Sequence, residues 1–212
     1  GDNVGDCARM AADLFETYVV TVGITMVMVA LLIGAGPLLV PLMTLPLLIG
    51  GVCIITSIIG TYMVRLGAKG SIMGALYKGF WTATALAVPA IFGAAWFALG
   101  GDLQQTVSVT DGSSFPAINL VWTSFIGLGV TALIVWITEY YTGTNYRPVQ
   151  SIAKASQTGH GTNIIQGLAI SLESTALPTI VIIAGLIASY QLAGFLGVAF
   201  AASAMLALAG MV

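Results

Sequence analysis

The sequence predicts an all-α integral membrane protein with six transmembrane helices. Its composition is 58% hydrophobic and only 7% charged, against roughly 25% charged residues in soluble domains. The chain also divides into six apolar stretches, each long enough to cross about 30 Å of hydrocarbon. This composition excludes a soluble domain, and the net charge of −2 gives no indication of nucleic-acid binding.

The predicted spans form a single transmembrane region over residues 1–212. They cover approximately residues 6–33, 38–64, 72–99, 117–137, 162–188 and 191–212. Glycine and proline follow the first span, and polar loops at 100–116 and 142–161 separate later ones. Because the chain starts inside a motif without Met and stops within an apolar run, we expect it to be an internal part of a longer protein. Cys7 and Cys53 lack neighbouring ligands, which argues against a zinc site or a disulfide framework.

The orientation of the spans follows from the basic residues. With six crossings, all Lys and Arg residues fall on or near one side of the membrane: Arg9, Arg65, Lys69, Lys78, Arg147 and Lys154. The 100–116 loop on the other side contains Asp102 and Asp111 and no basic residue. The positive-inside rule therefore predicts that the start of the chain is cytoplasmic.

The start of the first helix carries an unusual row of charges. Its members are Asp2, Asp6, Arg9, Asp13 and Glu16. Helical spacing puts them within an arc of roughly 80° along about 21 Å of one face. One arginine cannot neutralise four carboxylates, so a divalent metal or basic groups from elsewhere are expected. A solvated acidic helix end is the simpler alternative, but the helix continues directly into an apolar span.

The spacing of these acids predicts two kinds of site. Asp2 and Asp6 suit Mg²⁺, which prefers oxygen ligands and often shares carboxylates with a phosphate substrate. Asp13 and Glu16 lie two to four turns deeper, where acids are costly and usually belong to an ion path. A salt bridge from Arg9 to Asp13 is an alternative that is compatible with such a path.

Two further residues have less specific patterns. Glu173 lies within the predicted fifth span, and either an ion-path role or a structural pairing would account for it. His160 lies in a glycine-flanked loop before a helix. Because that loop lacks a full phosphate-loop spacing, a glycine turn followed by a polar cap at Thr162 or Asn163 is favoured over a phosphate site.

The segment GDNVGDCARMAADLFE resembles the hallmark motif of the membrane-bound, ion-pumping inorganic pyrophosphatases. The later segments ETYVVTVG, RPVQSIAKASQTGHGTN and GLAISLESTALP agree as well, so the resemblance spans the whole chain. It implies a helical membrane fold of sixteen spans, of which the six predicted here would be the sixth to eleventh. It also implies that these residues alone are inactive and that the full-length protein is a homodimer.

The resemblance also implies roles for individual residues. Asp2 would bind the magnesium–pyrophosphate complex, and Asp6 would bind metal and hold the attacking water as general base. Asp13 would belong to an ionic gate below the hydrolytic site. Glu16 would take part in ion choice and carry a proton or help to bind sodium. Arg9 departs from the family, which has glycine there.

The resemblance favours a magnesium-dependent pump that couples cytoplasmic pyrophosphate hydrolysis to proton movement across a bacterial inner membrane. The ETYVVT and IAKASQTGHGTNIIQG segments are more similar to the potassium-independent proton-pumping branch. A sodium-pumping pyrophosphatase stays open, because the spacing of Glu16 is common to both. A cation-binding transporter bundle without hydrolysis is the alternative from a different class.

Overall fold

A computed structural model describes residues 1–65, 72–110 and 112–208, with the side chains of Asn3 and Ile72 left undescribed. Lys69, Asp111 and the last four residues, which entered the predictions above, lie outside these ranges. The helices are α1 (Asp2–Ile33), α2 (Leu39–Met63), α3 (Ile72–Ala98), α4 (Ile118–Thr142), α5 (Arg147–Ser156), α6 (His160–Ser174) and α7 (Ala176–Leu206). Two short strands, β1 (Thr106–Ser108) and β2 (Ser114–Pro116), lie between α3 and α4. The predicted all-α membrane class is confirmed.

The number of predicted spans needs a correction. The described residues contain five helical segments that are long and apolar enough to cross a membrane, one fewer than the predicted six. They are Val4–Ile33, Leu39–Met63, Met73–Ala98, Ile118–Ser156 and His160–Leu206. The last of these contains the fifth predicted span and residues 191–206 of the sixth, because no helix end occurs at residues 189–190.

A break in α7 occurs a few residues later, at Ala193 and Gly194. Ala193 has φ −148° and ψ 25°, and Gly194 has φ 58° and ψ −147°. A β-carbon added to Gly197 would lie 2.5 Å from the carbonyl oxygen of Ser189. In a continuous helix these two residues would be about 12 Å apart along the axis. The chain therefore folds back on itself at the break.

Two compact units divide the chain: Gly1–Leu128 with Ala188–Val212, and Gly129–Ile187. The core of the first unit is apolar, and its largest fully buried side chains include Leu42, Leu45, Ile49, Ile91, Leu120, Leu196 and Phe200. Helices approach closely at glycines, as small-residue packing in membranes requires. A β-carbon at Gly60 would lie 2.8 Å from that of Ala83, and one at Gly127 would lie 2.3 Å from the carbonyl oxygen of Ala201.

The predicted polar loop at 100–116 contains a β-hairpin in the first unit. β1 and β2 pair antiparallel, with Val107 opposite Phe115 and both side chains buried. The loop also contacts the end of α1. The backbone N–H and the hydroxyl of Thr110 lie 2.7 and 2.8 Å from the carbonyl oxygen of Leu32, which satisfies one of the carbonyls exposed at a helix end.

The second unit contains a helical hairpin formed by α5 and α6. The Thr162 hydroxyl donates to the carbonyl of Ala155 at 3.0 Å, and the Gln166 amide donates to the Ser151 hydroxyl at 3.1 Å. These pairs run in opposite directions along the two helices, so the helices are antiparallel. α6 begins at His160, two residues before the predicted span, with Gly159 at φ 145° as its N-cap residue.

Candidate functional site

The charged residues at the start of the chain all lie on α1, which runs without interruption for 32 residues. Asp2, Asp6, Arg9, Asp13 and Glu16 are all exposed. The hydroxyl of Thr17 donates to the carbonyl of Asp13 at 2.8 Å, a bond that stays within the helix. The predicted row of charges therefore exists as a continuous exposed face, which we call the acidic face.

The opposite side of α1 is buried. Val22, Thr25 and Val29 are 9%, 1% and 0% exposed. Tyr18, which lies nearer the start of the helix, is half-buried. At 100° per residue these four side chains centre about 170° away from the acidic face. The rest of the first unit thus packs against one side of α1, and the acids lie on the other side.

A strip of exposed aliphatic side chains continues the line of the acidic face towards the far end of α1. Val20, Ile24, Val27 and Leu31 are 50%, 57%, 56% and 68% exposed, and they lie within the same arc of roughly 80° as the acids. Four carboxylates therefore lead into a purely aliphatic strip on the same side of the helix.

The acids alone do not form a complete metal site in the part of the chain that is described. No group of three or more His, Cys, Asp or Glu side chains is positioned to hold a metal ion among those residues. Asp2 and Asp6 nevertheless fit magnesium, because that ion keeps several waters and commonly takes only one or two carboxylates. Their exposure leaves the other coordination positions open to water or a phosphate ligand.

Glu173 lies in the last turn of α6, in the second unit, and it is exposed. It interacts electrostatically with Tyr141, as does Arg147. Tyr141 belongs to an aromatic cluster in which its ring centroid is 5.1 Å from that of Tyr140, which in turn is 5.5 Å from that of Tyr146. Both the structural and the ion-path interpretations of Glu173 remain predictions.

His160 is exposed as the first residue of α6. The Thr162 hydroxyl bonds to the carbonyls of Gly159 and Ala155, at 2.9 and 3.0 Å, rather than to a free backbone N–H. The predicted glycine turn is present, but Thr162 does not cap the helix.

Sequence reasoning did not single out the polar side chains on the buried side of α1. The Tyr18 hydroxyl donates to the carbonyl of Leu206, and Thr25 Oγ1 lies 2.8 Å from Ser203 Oγ. The seven-residue spacing of Tyr18 and Thr25 was the available signal. Hydroxyl residues are common in membrane helices, however, and that spacing does not indicate what they face.

The fold and the acidic face define an integral, multi-pass membrane protein with exposed carboxylates at the start of its first helix. The model of the family described as inorganic H⁺ pyrophosphatase matches residues 1–212. The chain therefore belongs to this family of membrane enzymes.

Several relatives support this membership. The chain is 57% identical to pyrophosphate-energized proton pump 2 of Mycoplana dimorpha over 187 residues, which cover 88% of each chain. It is 57% identical to the pyrophosphate-energized proton pump of Anaplasma marginale over 144 residues, covering 68% of this chain and all of the relative. It is 40% identical to the K⁺-insensitive pyrophosphate-energized proton pump of Methanosarcina mazei, covering 100% of this chain and 30% of that relative.

Proposed function

We propose that the chain forms part of a magnesium-dependent pump that hydrolyses pyrophosphate and moves protons out of the cytoplasm. The observation that carries the proposal is the family motif on the acidic face of α1. The names of the relatives, which are pyrophosphate-energized proton pumps, support it. The similarity to K⁺-insensitive pumps supports potassium independence.

The acidic face suggests a division of labour along α1. Asp2 and Asp6 would hold the magnesium–pyrophosphate complex at the helix start, where bound magnesium neutralises charge on the phosphate oxygens. Asp6 would also orient a water molecule and take its proton as that water attacks phosphorus. Asp13 and Glu16 lie about 10 and 15 Å further along the axis, too far to contact the same water. They would instead form a gate and carry the proton.

The proposal is tested by measuring phosphate release and acidification in membrane vesicles that contain the full-length protein of which these residues are expected to be a part. We expect pyrophosphate to be hydrolysed only with magnesium, and vesicle acidification to collapse with a protonophore. Transport that requires sodium and survives the protonophore would instead identify a sodium pump. Absence of phosphate release would favour a transporter bundle without hydrolysis.

The proposed direction depends on the orientation of the chain, which cysteine labelling can test. Ser113 lies in the 100–116 loop and Ser156 at the end of α5, and both are exposed. In a background without Cys7 and Cys53, Ser113→Cys should react with a membrane-impermeant reagent from outside the cell, and Ser156→Cys should not. The reverse pattern would put the acidic face on the wrong side for cytoplasmic pyrophosphate.

A further inference from the structure

We propose that Tyr18 and Thr25 are positioning residues that fix the rotation of α1, and with it the direction of the acidic face. The inference rests on the proposed function only in that the acids on this helix are taken to serve it. Neither side chain belongs to the acidic face. Both lie on the opposite side of α1, within the first compact unit.

Two side chains of α1 contact the part of α7 that follows the break. The Tyr18 hydroxyl donates to the backbone carbonyl of Leu206. Thr25 Oγ1 lies 2.8 Å from Ser203 Oγ and 3.2 Å from the backbone carbonyl of Ala199, and it also lies 2.9 Å from the carbonyl of Thr21 in its own helix. Thr25 and Ser203 are only 1% and 4% exposed, so these hydroxyls have no competing water.

The spacing of the contacts fixes an alignment of the two helices. Tyr18 and Thr25 are seven residues apart on α1, and their carbonyl partners, Leu206 and Ala199, are seven residues apart on α7 in the opposite direction. Seven residues are about two turns, which bring both side chains to the same side of their helix. The contacts therefore form a two-point clamp between antiparallel helices.

The clamp adds a constraint that the hydrophobicity of this helix does not supply. The membrane half of α1 is aliphatic around most of its circumference, so hydrophobicity alone does not select one side for packing. A slip by one residue would turn the acidic face by about 100°. The contacts of Tyr18 with Leu206 and of Thr25 with Ser203 favour the observed rotation, because any other rotation would separate these partners.

Matched variants separate positioning from general stability. Tyr18→Phe and Thr25→Val each remove one contact with little change in shape, whereas Thr25→Ser keeps the hydroxyl. Thr84→Val serves as control, because the Thr84 hydroxyl donates to the Phe80 carbonyl of its own helix, at 2.9 Å. The variants are made in the full-length protein and tested in membrane vesicles.

We expect Tyr18→Phe and Thr25→Val each to raise the magnesium concentration for half-maximal hydrolysis by about threefold, the effect of one interhelical hydrogen bond in a membrane. The ratio of proton movement to phosphate release should fall as well. Thr25→Ser and Thr84→Val should retain both values. If the Tyr18→Phe, Thr25→Val double variant lost thermal stability but kept both values, the residues would be structural only and the proposal would be overturned.

A second measurement does not depend on activity. In the background without Cys7 and Cys53, cysteines replacing Thr25 and Ser203 should form a disulfide on mild oxidation, and adding Tyr18→Phe should reduce its yield. An undiminished yield would overturn the two-point clamp even if the protein hydrolysed pyrophosphate. Absence of hydrolysis by the unmutated protein would instead overturn the proposed function and leave the cross-linking result to decide on the clamp.

Discussion

The two halves of α1 differ in what they contact. The first half, residues 2–17, carries five charged residues, and the side-chain hydrogen bond described there stays within the helix. The second half has no charge and is tied to other segments at Tyr18, Thr25 and Leu32. One continuous helix thus combines an exposed charged end with an apolar end that is bonded to other segments. The difference indicates that the position of the acids is set from the anchored half.

The strongest test of the charged half is Asp6→Asn. We expect the rate of phosphate release to fall by a factor of about 10²–10⁴, because the amide cannot take a proton from water. Asp102→Asn is a suitable control, since Asp102 accepts a bond from the backbone N–H of Gln104 at 2.9 Å in the 100–116 loop. Unchanged hydrolysis in Asp6→Asn would show that Asp6 is not the general base, and the charged half would then lack its proposed catalytic residue.

The border between the two halves is tested by Glu16→Gln. The substitution removes a titratable group but leaves Asp2 and Asp6 intact. We expect the ratio of vesicle acidification to phosphate release to fall by about tenfold or more, as for the loss of a positioned proton carrier. Hydrolysis can also slow when proton exit is blocked, so the ratio is the quantity to measure. A normal ratio with normal rates would make Glu16 a structural acid.

The packing that supports the anchored half is tested by Gly127→Ala. The new methyl group would lie 2.3 Å from the carbonyl oxygen of Ala201, on the segment that contacts α1. Overpacking of this kind lowers the free energy of unfolding by about 1–3 kcal/mol. Thermal unfolding in detergent would measure this loss of stability. Gly129→Ala is the matched control, because its added carbon meets nothing within 4 Å. Equal stability of the two variants would show that close approach at Gly127 is not needed.

The smallest expected effect concerns Arg9, where the resemblance implies that the family has glycine. Its positive charge lies between Asp6 and Asp13 on the exposed acidic face. Replacing it by Ala or Gly should lower the magnesium concentration for half-maximal hydrolysis by about twofold to fivefold, and salt should reduce the difference. Arg147→Ala controls for the change in net charge. If only Arg9→Gly were active, close helix packing rather than charge would explain the family's glycine.

The sequence predicted those features that depend on local periodicity. The membrane class follows from the scarcity of charge, and the common direction of Asp2, Asp6, Asp13 and Glu16 follows from their spacing on one helix. The family followed from a specific motif in the same segment. Each of these depends on residues close together in the chain, so no knowledge of distant contacts was needed.

The tertiary structure decided where the chain turns and how α1 is rotated. The prediction placed the boundary between the last two spans at 189–190, beside the polar residues Ser189 and Gln191, whereas the break is at Ala193 and Gly194. α1 presents aliphatic side chains around most of its membrane half, so hydrophobic periodicity could not identify the packed side. That side became evident only when Tyr18 and Thr25 met Leu206, Ala199 and Ser203, more than 170 residues later. Sequence alone determined that the acids share a face, and long-range contacts decided which way that face points.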